Sequence, residues 1–203
     1  MDLKDTYNKI AADWHQDHKQ DSWWVEATDK FTGMLPADAK VLDVGCGAGT
    51  KAKYLIDHGL QVVGIDFSDK LIEIAKKDVL GALFLVMDMS QVNDLAESFD
   101  GIFVQASLLH IPKQETPQVI HDLNSKLKNG GYFYIAVKEQ RVGKPEEETV
   151  KENDYGYEYE RFFSYYTLDE IKKYLTDLGM DIAYSVITSS GRTNWIQVIA
   201  KKI

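Results

Sequence analysis

The sequence predicts an α/β fold in which helices cover both faces of a doubly wound, mostly parallel sheet. From residue 40 onward, short apolar runs alternate with helical patterns, and the runs lie at residues 41–44, 62–65, 83–86, 101–104 and 132–137. Continuous apolar runs are typical of strands that are buried on both faces of a parallel sheet. Strands that alternate with helices in this way build a doubly wound sheet.

Helix-start signals separate these predicted strands. Ser68 is a good N-cap for a helix after the second strand, and Thr116 with Pro117 opens a helix after the fourth. Thr167 and Glu170 have the spacing of a capping box, which predicts a further helix near the C-terminus. The helices therefore alternate with the strands, as this fold class requires.

The last two strands are predicted near residues 181–188 and 194–200. Only the short polar stretch 189–191 separates them. A link of this length joins antiparallel neighbours, because a parallel crossover needs a dozen residues or more. One strand at the C-terminus is therefore expected to run against the others.

Two segments stand apart from the strand–helix series. Residues 1–35 are predicted to form a helical cap, because the apolar residues from position 3 onward recur at mixed spacings of three and four. Residues 138–165 are predicted to form an insertion that is mobile or functional, and its stretch 144–160 carries seven acidic residues and two lysines. We expect residues 1–203 to form a single domain.

Composition and charge exclude several classes of protein. The chain has 203 residues and a formal net charge of −9, and no basic surface that would neutralise nucleic-acid phosphates is evident. No apolar run approaches the roughly 18 residues that span a bilayer, and the charged start lacks the apolar core of a secretory signal. Cys46 is the only cysteine, which excludes disulfide frameworks. We therefore expect a cytoplasmic protein that binds neither nucleic acid nor membranes, with its oligomeric state left open.

A glycine-rich loop follows the first predicted strand. Asp43 is followed by Gly45, Cys46, Gly47 and Gly49 directly before a helix, and glycines let the backbone turn tightly against a ligand. The spacing is Gly-x-Gly-x-Gly, which differs from the dinucleotide pattern Gly-x-Gly-x-x-Gly. A carboxylate at position 43 would repel a pyrophosphate but can pair with an ammonium group. The loop therefore favours a ligand that carries an amino acid, with Cys46 as a packing residue within it.

Acidic residues also end the second and third predicted strands. Asp66 lies at the end of the second strand, where an acid accepts hydrogen bonds from ribose hydroxyls, and Phe67 follows it as a surface for an adenine. Asp88 and Met89 end the third strand, where a carboxylate can accept from an adenine amine. The alternative for each acid taken alone is a surface residue or a helix cap. Together with the acid of the glycine loop, these residues form a constellation along the sheet edge at which ligands bind.

The run 41–50, together with Asp66, Asp88 and the stretch 127–131, closely resembles the class I S-adenosylmethionine-dependent methyltransferases. The resemblance implies a seven-stranded sheet of order 3-2-1-4-5-7-6 with the last strand antiparallel. It also implies that Asp43 and the loop residues hold the methionine part of S-adenosylmethionine. By the same resemblance Asp66 holds the ribose, and Asp88 with the Met89 backbone holds the adenine.

The N-terminal segment also matches the family. Tyr7 and Trp14 fit its Tyr-x-x-x-Ala-x-x-aromatic pattern, and the resemblance implies that this segment lies over the cofactor as a lid. The stretch 105–112 ends the fourth strand without the Asn/Asp-Pro-Pro-aromatic motif of amino-methylating nucleic-acid enzymes. It looks like that of small-molecule methyltransferases, in which this stretch, here beginning at Gln105, passes beside the sulfonium and the acceptor.

Candidates for the acceptor site follow from chemistry. His110 is the best-placed general base, since its ordinary pKa is near neutrality; the alternative is that it only fills its loop. Tyr157 and Tyr159 close the insertion and are expected to form a wall of the acceptor site. Arg161 or Arg192 can clamp a carboxylate in bidentate fashion, with a surface ion pair as the alternative. No histidine or carboxylate cluster has metal-ligand spacing, so we predict no metal.

The sequence therefore predicts a methyltransferase that moves the methyl group of S-adenosylmethionine to a small-molecule acceptor by in-line displacement, leaving S-adenosylhomocysteine. An S-adenosylmethionine-binding regulator or an inactive partner subunit is the alternative. A nicotinamide-dependent dehydrogenase is disfavoured by Asp43 and by the glycine spacing. The acceptor, and whether its oxygen, nitrogen, sulfur or carbon is methylated, stays open.

Overall fold

The computed structural model describes residues 2–203, so Met1 of the predicted cap lies outside the described part of the chain. Helices and strands alternate along most of the chain. In chain order the elements are α1 (Leu3–His18), α2 (Val25–Met34), β1 (Lys40–Val44), α3 (Thr50–Asp57), β2 (Gln61–Asp66), α4 (Asp69–Asp78), β3 (Ala82–Val86), β4 (Phe99–Gln105), α5 (Thr116–Ser125), β5 (Leu127–Lys138), β6 (Glu147–Glu152), β7 (Tyr159–Ser164), α6 (Leu168–Asp177), β8 (Met180–Ser190) and β9 (Thr193–Lys202). Two short 3₁₀ helices, Met89–Asp94 and Leu108–His110, follow β3 and β4.

Seven strands form one sheet in the order β3-β2-β1-β4-β5-β9-β8. Strands β1 to β5 pair in parallel, whereas β9 runs antiparallel to both β5 and β8. With the separate pair β6–β7 left out of the count, this is the predicted order 3-2-1-4-5-7-6. The predicted fold class and the reversed C-terminal strand are therefore confirmed.

Apolar side chains fill both faces of the sheet. Neighbouring residues of β4 and β5 point to opposite faces, so Ile102 and Phe133 belong to one buried cluster, and Phe103 and Tyr134 to the other. The Tyr134 hydroxyl donates to Gln197 Oε1 at 2.7 Å, which satisfies both buried polar groups. Burial on both faces explains why the strands appear in the sequence as continuous apolar runs.

The N-terminal segment forms two helices, whereas the sequence pattern predicted continuous helix over residues 3–35. The break lies at residues 19–24. It overlaps the polar run 15–22, which offers no apolar side chain to bury. Helix α2 packs Phe31 against Phe103 and Tyr134 under the sheet, at ring-centroid distances of 5.5 and 5.9 Å. Helix α1 instead packs on α4 and β7.

The insertion is more ordered than its composition predicted. Strands β6 and β7 form an antiparallel hairpin outside the main sheet, and Gly156 adopts φ +81° in the connecting turn. Tyr159 and Phe163 are both buried, the first beside α1 and the second against the main core. The acidic residues of β6 conceal this pattern, because the two buried aromatic residues of the hairpin, Tyr159 and Phe163, both lie on β7.

None of the helices within residues 2–203 is long and apolar enough to cross a membrane.

The start of α6 provides a test of the local stability of the fold. The Thr167 side chain accepts from the Glu170 backbone N–H, and the Glu170 side chain accepts from the Thr167 backbone N–H. Substituting T167A removes one half of this capping box, and we expect it to lower the free energy of unfolding by about 1 kcal/mol. Urea unfolding measures the change. The control is T176A, an exposed threonine at the other end of α6; equal losses in both variants would contradict the capping role.

Candidate functional site

A cavity of about 270 Å³ opens at the carboxyl edge of the sheet, beneath α1 and beside β7. It lies where β1 has β2 on one side and β4 on the other, the switch point at which doubly wound folds bind ligands. Most of the predicted site residues line it. They are Tyr7, Trp14, Asp43, Gly45, Cys46, Gly47, Asp66, Phe67, Met89, Gln105, His110 and Arg161.

The glycine loop forms the floor of the cavity, and two of its glycines are required by geometry. A Cβ on Gly45 would lie 2.2 Å from Ser107 Cβ, and a Cβ on Gly47 would lie 3.2 Å from the Trp14 ring; both residues also have positive φ. The Ser107 hydroxyl donates to the Val44 carbonyl at 2.6 Å and ties β4 to the loop. Burial raises the pKa of the Cys46 thiol, so Cys46 is a neutral packing residue here.

Two buried carboxylates lie beside this loop. Asp43 is 2% exposed, and burial raises its pKa to about 7. Asp66 is 7% exposed, and burial raises its pKa to about 6, although it accepts backbone N–H groups from Gly47 at 2.9 Å and Ser68 at 2.8 Å. Each carboxylate is therefore held in a site that disfavours its own charge, and a cation bound between them would restore the charged forms.

Several polar atoms of the cavity have no partner within residues 2–203. They are Oδ2 of Asp43 and both amide atoms of Gln105, all of them buried. Buried polar groups are nearly always hydrogen-bonded, and an unpaired one is costly. Donors and acceptors that face an open cavity are the expected features of a site that a polar ligand completes.

Lys51, which the sequence analysis missed, also lines this end of the cavity. Burial lowers the pKa of its ammonium group, against the pull of Asp21 and Asp43. A lysine two residues beyond Gly49, the last glycine of the loop, is a signal that sequence reasoning could have used.

At the end of the cavity where the resemblance implies an adenine, the structure departs in one detail from the sequence expectation. Phe67 and Met89 line the main cavity, whereas Asp88 faces a neighbouring recess that these two residues also line. Asp88 Oδ1 accepts from the Ser90 backbone N–H at 2.8 Å, and the Gln91 side chain completes a capping box. The carboxylate of Asp88 therefore holds the start of a 3₁₀ helix, a role that its Asp-x-x-Gln spacing could have predicted.

His110 lines the cavity, and both of its ring nitrogens have partners. Nδ1 lies 2.7 Å from the Phe162 carbonyl oxygen, which can only accept, so Nδ1 carries the proton. Nε2, 2.7 Å from the Tyr7 hydroxyl, then accepts from it. Burial lowers the pKa of His110 to about 3. The imidazole is therefore neutral, and its one basic nitrogen is already taken by Tyr7.

The predicted acceptor residues separate into two groups. Arg161 lines the cavity, but Nε and Nη2 each donate to Glu152 at 2.6 Å, and Nη1 lies 3.5 Å from the Tyr7 hydroxyl. The Nε–Nη2 edge of the guanidinium group is therefore occupied by Glu152, so this edge has no free donors for the predicted carboxylate clamp. Tyr157, Tyr159 and Arg192 do not line the cavity.

The three residues outside the lining have other positions in the fold. The Tyr157 hydroxyl donates to Asp13 Oδ2 at 2.7 Å, and the Tyr159 ring is buried beside α1. Both tyrosines fasten the hairpin to that helix. Arg192 is exposed in the turn between β8 and β9.

Comparisons with known proteins agree with this geometry. Residues 41–131 match the family described as a methyltransferase domain. The chain is 33% identical over 131 residues to a phosphoethanolamine N-methyltransferase of Triticum aestivum, a match that covers 61% of this chain and 26% of that protein. It is 32% identical over 135 residues to an S-adenosyl-L-methionine-dependent Diels-Alderase of Talaromyces variabilis, covering 62% and 44%.

A solved structure shows the same fold over the whole chain. The crystal structure of magnesium protoporphyrin IX methyltransferase from Synechocystis PCC 6803 with bound SAM has a TM-score of 0.75 and 22% identity, and the match covers 100% of this chain and 98% of that one. Residues 41–131 are therefore similar to a methyltransferase domain, and the chain as a whole shares the fold of the Synechocystis structure. The chain spans less than half the length of the two curated relatives.

The end of the cavity near β5 and β9 contains residues that sequence reasoning missed. Lys138 lies at the carboxyl end of β5, opposite Trp195 in the β5–β9 register, and both line the cavity. Trp195 stacks on Trp23, with ring centroids 4.0 Å apart. The position of Lys138 could have been found, because the rule that ligands bind at carboxyl strand ends applies to β5 as it does to β1 and β2.

The raised pKa of Asp43 predicts how stability depends on pH without ligand. The folded chain keeps the Asp43 proton up to about pH 7, whereas an unfolded chain loses it near its ordinary value of 3.8. Stability from this group therefore falls as the pH rises between these values. We expect D43N to be more stable than the wild type above pH 7, by up to about 4 kcal/mol, with the gap closing toward pH 4.

Urea unfolding at several pH values measures this difference. The matched control is D181N, an exposed acid on β8, whose difference from the wild type should stay small across the range. A D43N advantage that is independent of pH would show that Asp43 is not held with a raised pKa.

Proposed function

We propose that this chain binds S-adenosylmethionine in the cavity and transfers its methyl group to a small-molecule acceptor. The observation that carries the proposal is the unpartnered Oδ2 of buried Asp43 beside the glycine loop, which suits an ammonium group. The Synechocystis methyltransferase, which shares the fold, was crystallised with bound SAM. The Triticum relative, an N-methyltransferase, supports methyl transfer, and the Talaromyces relative, an S-adenosyl-L-methionine-dependent Diels-Alderase, supports use of the same cofactor, although the chain matches only part of each.

Each part of the donor has a matching group in the cavity. Asp43 would accept from the ammonium of the methionine part, and Lys51 lies close enough to Asp43 to act on its charge. Asp66 would accept from the ribose hydroxyls, since its oxygens keep lone pairs beside the two backbone N–H groups. The aromatic and thioether surfaces of Phe67 and Met89 would lie against the adenine, and Asp88 would contact it from the neighbouring recess.

When bound, S-adenosylmethionine supplies an electrophilic methyl group on a positively charged sulfur. The protein must align the acceptor in line with that methyl group, about 3 Å away, and exclude water. The Gln105 amide lies at the end of β4 with both polar atoms free to orient a ligand. Tyr7, Trp14 and Phe67 form an aromatic cover over the cavity, with Tyr7 edge-on to both other rings.

The geometry favours a positioning role for His110 over the predicted role as general base. Its Nε2 accepts a hydrogen bond from Tyr7. The imidazole can therefore take up a proton at Nε2 only if the Tyr7 hydroxyl transfers its proton to it. Because the pKa of His110 is about 3, its imidazole is also too weak a base to remove a hydroxyl proton efficiently. We assign His110 to holding Tyr7, and with it α1, over the cavity.

We further propose that residues 1–203 act as one methyltransferase domain. In it, the two N-terminal helices and the insertion 138–165 form the walls that close the carboxyl edge of the sheet. A regulator that binds the donor without turnover is the alternative, and transfer of labelled methyl groups to a panel of small metabolites separates the two.

Substituting D66N tests the ribose assignment. The amide retains the shape of the side chain but loses the charge, so we expect the dissociation constant for S-adenosylhomocysteine to rise about 10- to 150-fold. Calorimetric titration measures this, with D181N as the surface control and thermal unfolding to verify folding. The wild type should bind neither NAD nor NADP. Unchanged S-adenosylhomocysteine binding by folded D66N would refute the assignment.

The two walls provide a second test. We expect residues 2–20 and 144–162 to gain protection from amide hydrogen exchange when S-adenosylhomocysteine and an acceptor bind, because both segments must close over the reacting centre. The strands β1 and β4 provide the internal control, since they should be protected in both states. Equal protection of the two segments with and without ligand would mean that they are fixed structural packing.

A further inference from the structure

We infer that Lys138 holds an anionic group of the methyl acceptor and that the body of this acceptor is a flat ring packed on Trp195. The inference rests on the proposed function and names the substrate class for the same cavity. Four features of this end of the cavity carry it: the burial of Lys138, the lack of a carboxylate partner, the aromatic surface beside it, and the separation from the donor acids.

The Lys138 ammonium group has no ion pair within residues 2–203, and Phe163 is its nearest aromatic neighbour, with the ring centroid 3.8 Å from Nζ. Burial lowers its pKa to about 8, and Arg161 acts in the same direction. A partly buried lysine that lacks a carboxylate partner is costly to keep charged. An incoming anion would remove that cost.

The two carboxylates whose charge acts on Lys138 are hydrogen-bonded to other side chains. Glu152 accepts both hydrogen bonds from the fork of Arg161, and Glu148 accepts from the Tyr165 hydroxyl at 2.9 Å. Arg161 is therefore neutralised by its own partner. Among the cations that line this side of the cavity, Lys138 is the one whose charge is available to a ligand.

The acids that line the cavity belong to the donor side. Asp43 and Asp66 lie by the glycine loop, and Asp21 acts on Lys51. An acceptor that carries its own anion would avoid these acids and meet Lys138. The charge distribution therefore favours one orientation of such an acceptor, with its anionic group toward Lys138.

The surface beside Lys138 is aromatic and backed by a second ring. Trp195 pairs with Lys138 in the strand register, so the two side chains project from the same face of the sheet, with Nζ 5.9 Å from the ring centroid. Trp23 stacks on Trp195 at an interplanar angle of 6°. Ser190 and Thr193 add hydroxyl groups to the lining. A flat ring with an anionic substituent fits this combination of contacts.

Probe binding in the presence of saturating S-adenosylhomocysteine tests the inference by ligand-observed NMR. The probes are benzoate and phenylphosphonate, which carry a ring and an anion, benzamide and benzylamine, which carry a ring without an anion, and acetate, which has no ring. We expect benzoate or phenylphosphonate to bind at least about tenfold more tightly than the other three. The stronger of the two anions indicates whether a carboxylate or a phosphate is the natural group.

Three variants separate the charge from the packing. K138M should weaken binding of the preferred anion about tenfold or more, K138R should retain most of it, and K76M, an exposed lysine on α4, should leave it unchanged. Thermal unfolding verifies that each variant folds. Equal binding of benzamide and benzoate, or an unchanged affinity in folded K138M, would overturn the inference.

The same titrations separate this inference from the proposed function. If S-adenosylhomocysteine binds and the anionic probes show no preference, the assignment of Lys138 is wrong while the donor site stands. If S-adenosylhomocysteine itself does not bind to the wild type, the proposed function fails, and the inference fails with it.

Discussion

The parallel arrangement of β1, β2, β4 and β5 brings their carboxyl ends to one edge of the sheet, and every feature of the site depends on this. The chain leaves β1 toward β2 on one side and reaches β4 on the other, which opens a crevice between the connections. Gly45 can approach β4 closely only because it lacks a side chain, since Ser107 lies where its Cβ would be. The floor of the cavity is thus set by backbone geometry before any side chain contributes.

On this floor the protein keeps charges that a folded core normally avoids. Asp43 and Asp66 are almost fully buried at the donor end, and Lys138 is largely buried at the other. Charges in a water-poor cavity interact more strongly with a ligand than charges on the surface. The cost of burying them lowers the stability of the empty protein and is recovered when complementary charges bind.

Much of the fold and many of the residues that line the cavity could be predicted from the sequence, because both follow local patterns. The glycine loop and the acids at positions 43 and 66 occupy fixed places relative to strands that are visible as apolar runs. For Asp88, the helix cap that was the alternative for each acid is the role that the structure shows. The break at residues 19–24 shows the limit of helical periodicity, because it begins within the polar run 15–22, which has no apolar side chain to continue the buried face of α1.

The acceptor side could not be predicted in the same way, because its contacts join distant parts of the chain. Arg161 and Glu152 meet as diagonal neighbours across the β6–β7 hairpin, a register that the acidic composition of β6 does not reveal. Tyr7 and His110 are separated by 103 residues and meet only because α1 folds over the edge of the sheet. Pairings of this kind decide which charges stay free for a ligand.

The hydrogen-bond chain from Tyr7 through His110 to the Phe162 carbonyl joins α1, the end of β4 and the hairpin. Withdrawing either α1 or the hairpin alone would leave a buried ring nitrogen of His110 without its partner, which costs about 1–3 kcal/mol. One neutral imidazole therefore holds both segments at the edge of the sheet, although they are far apart in the chain. Opening the cavity on either side has the energetic cost of one histidine hydrogen bond, so this residue acts as a latch for both.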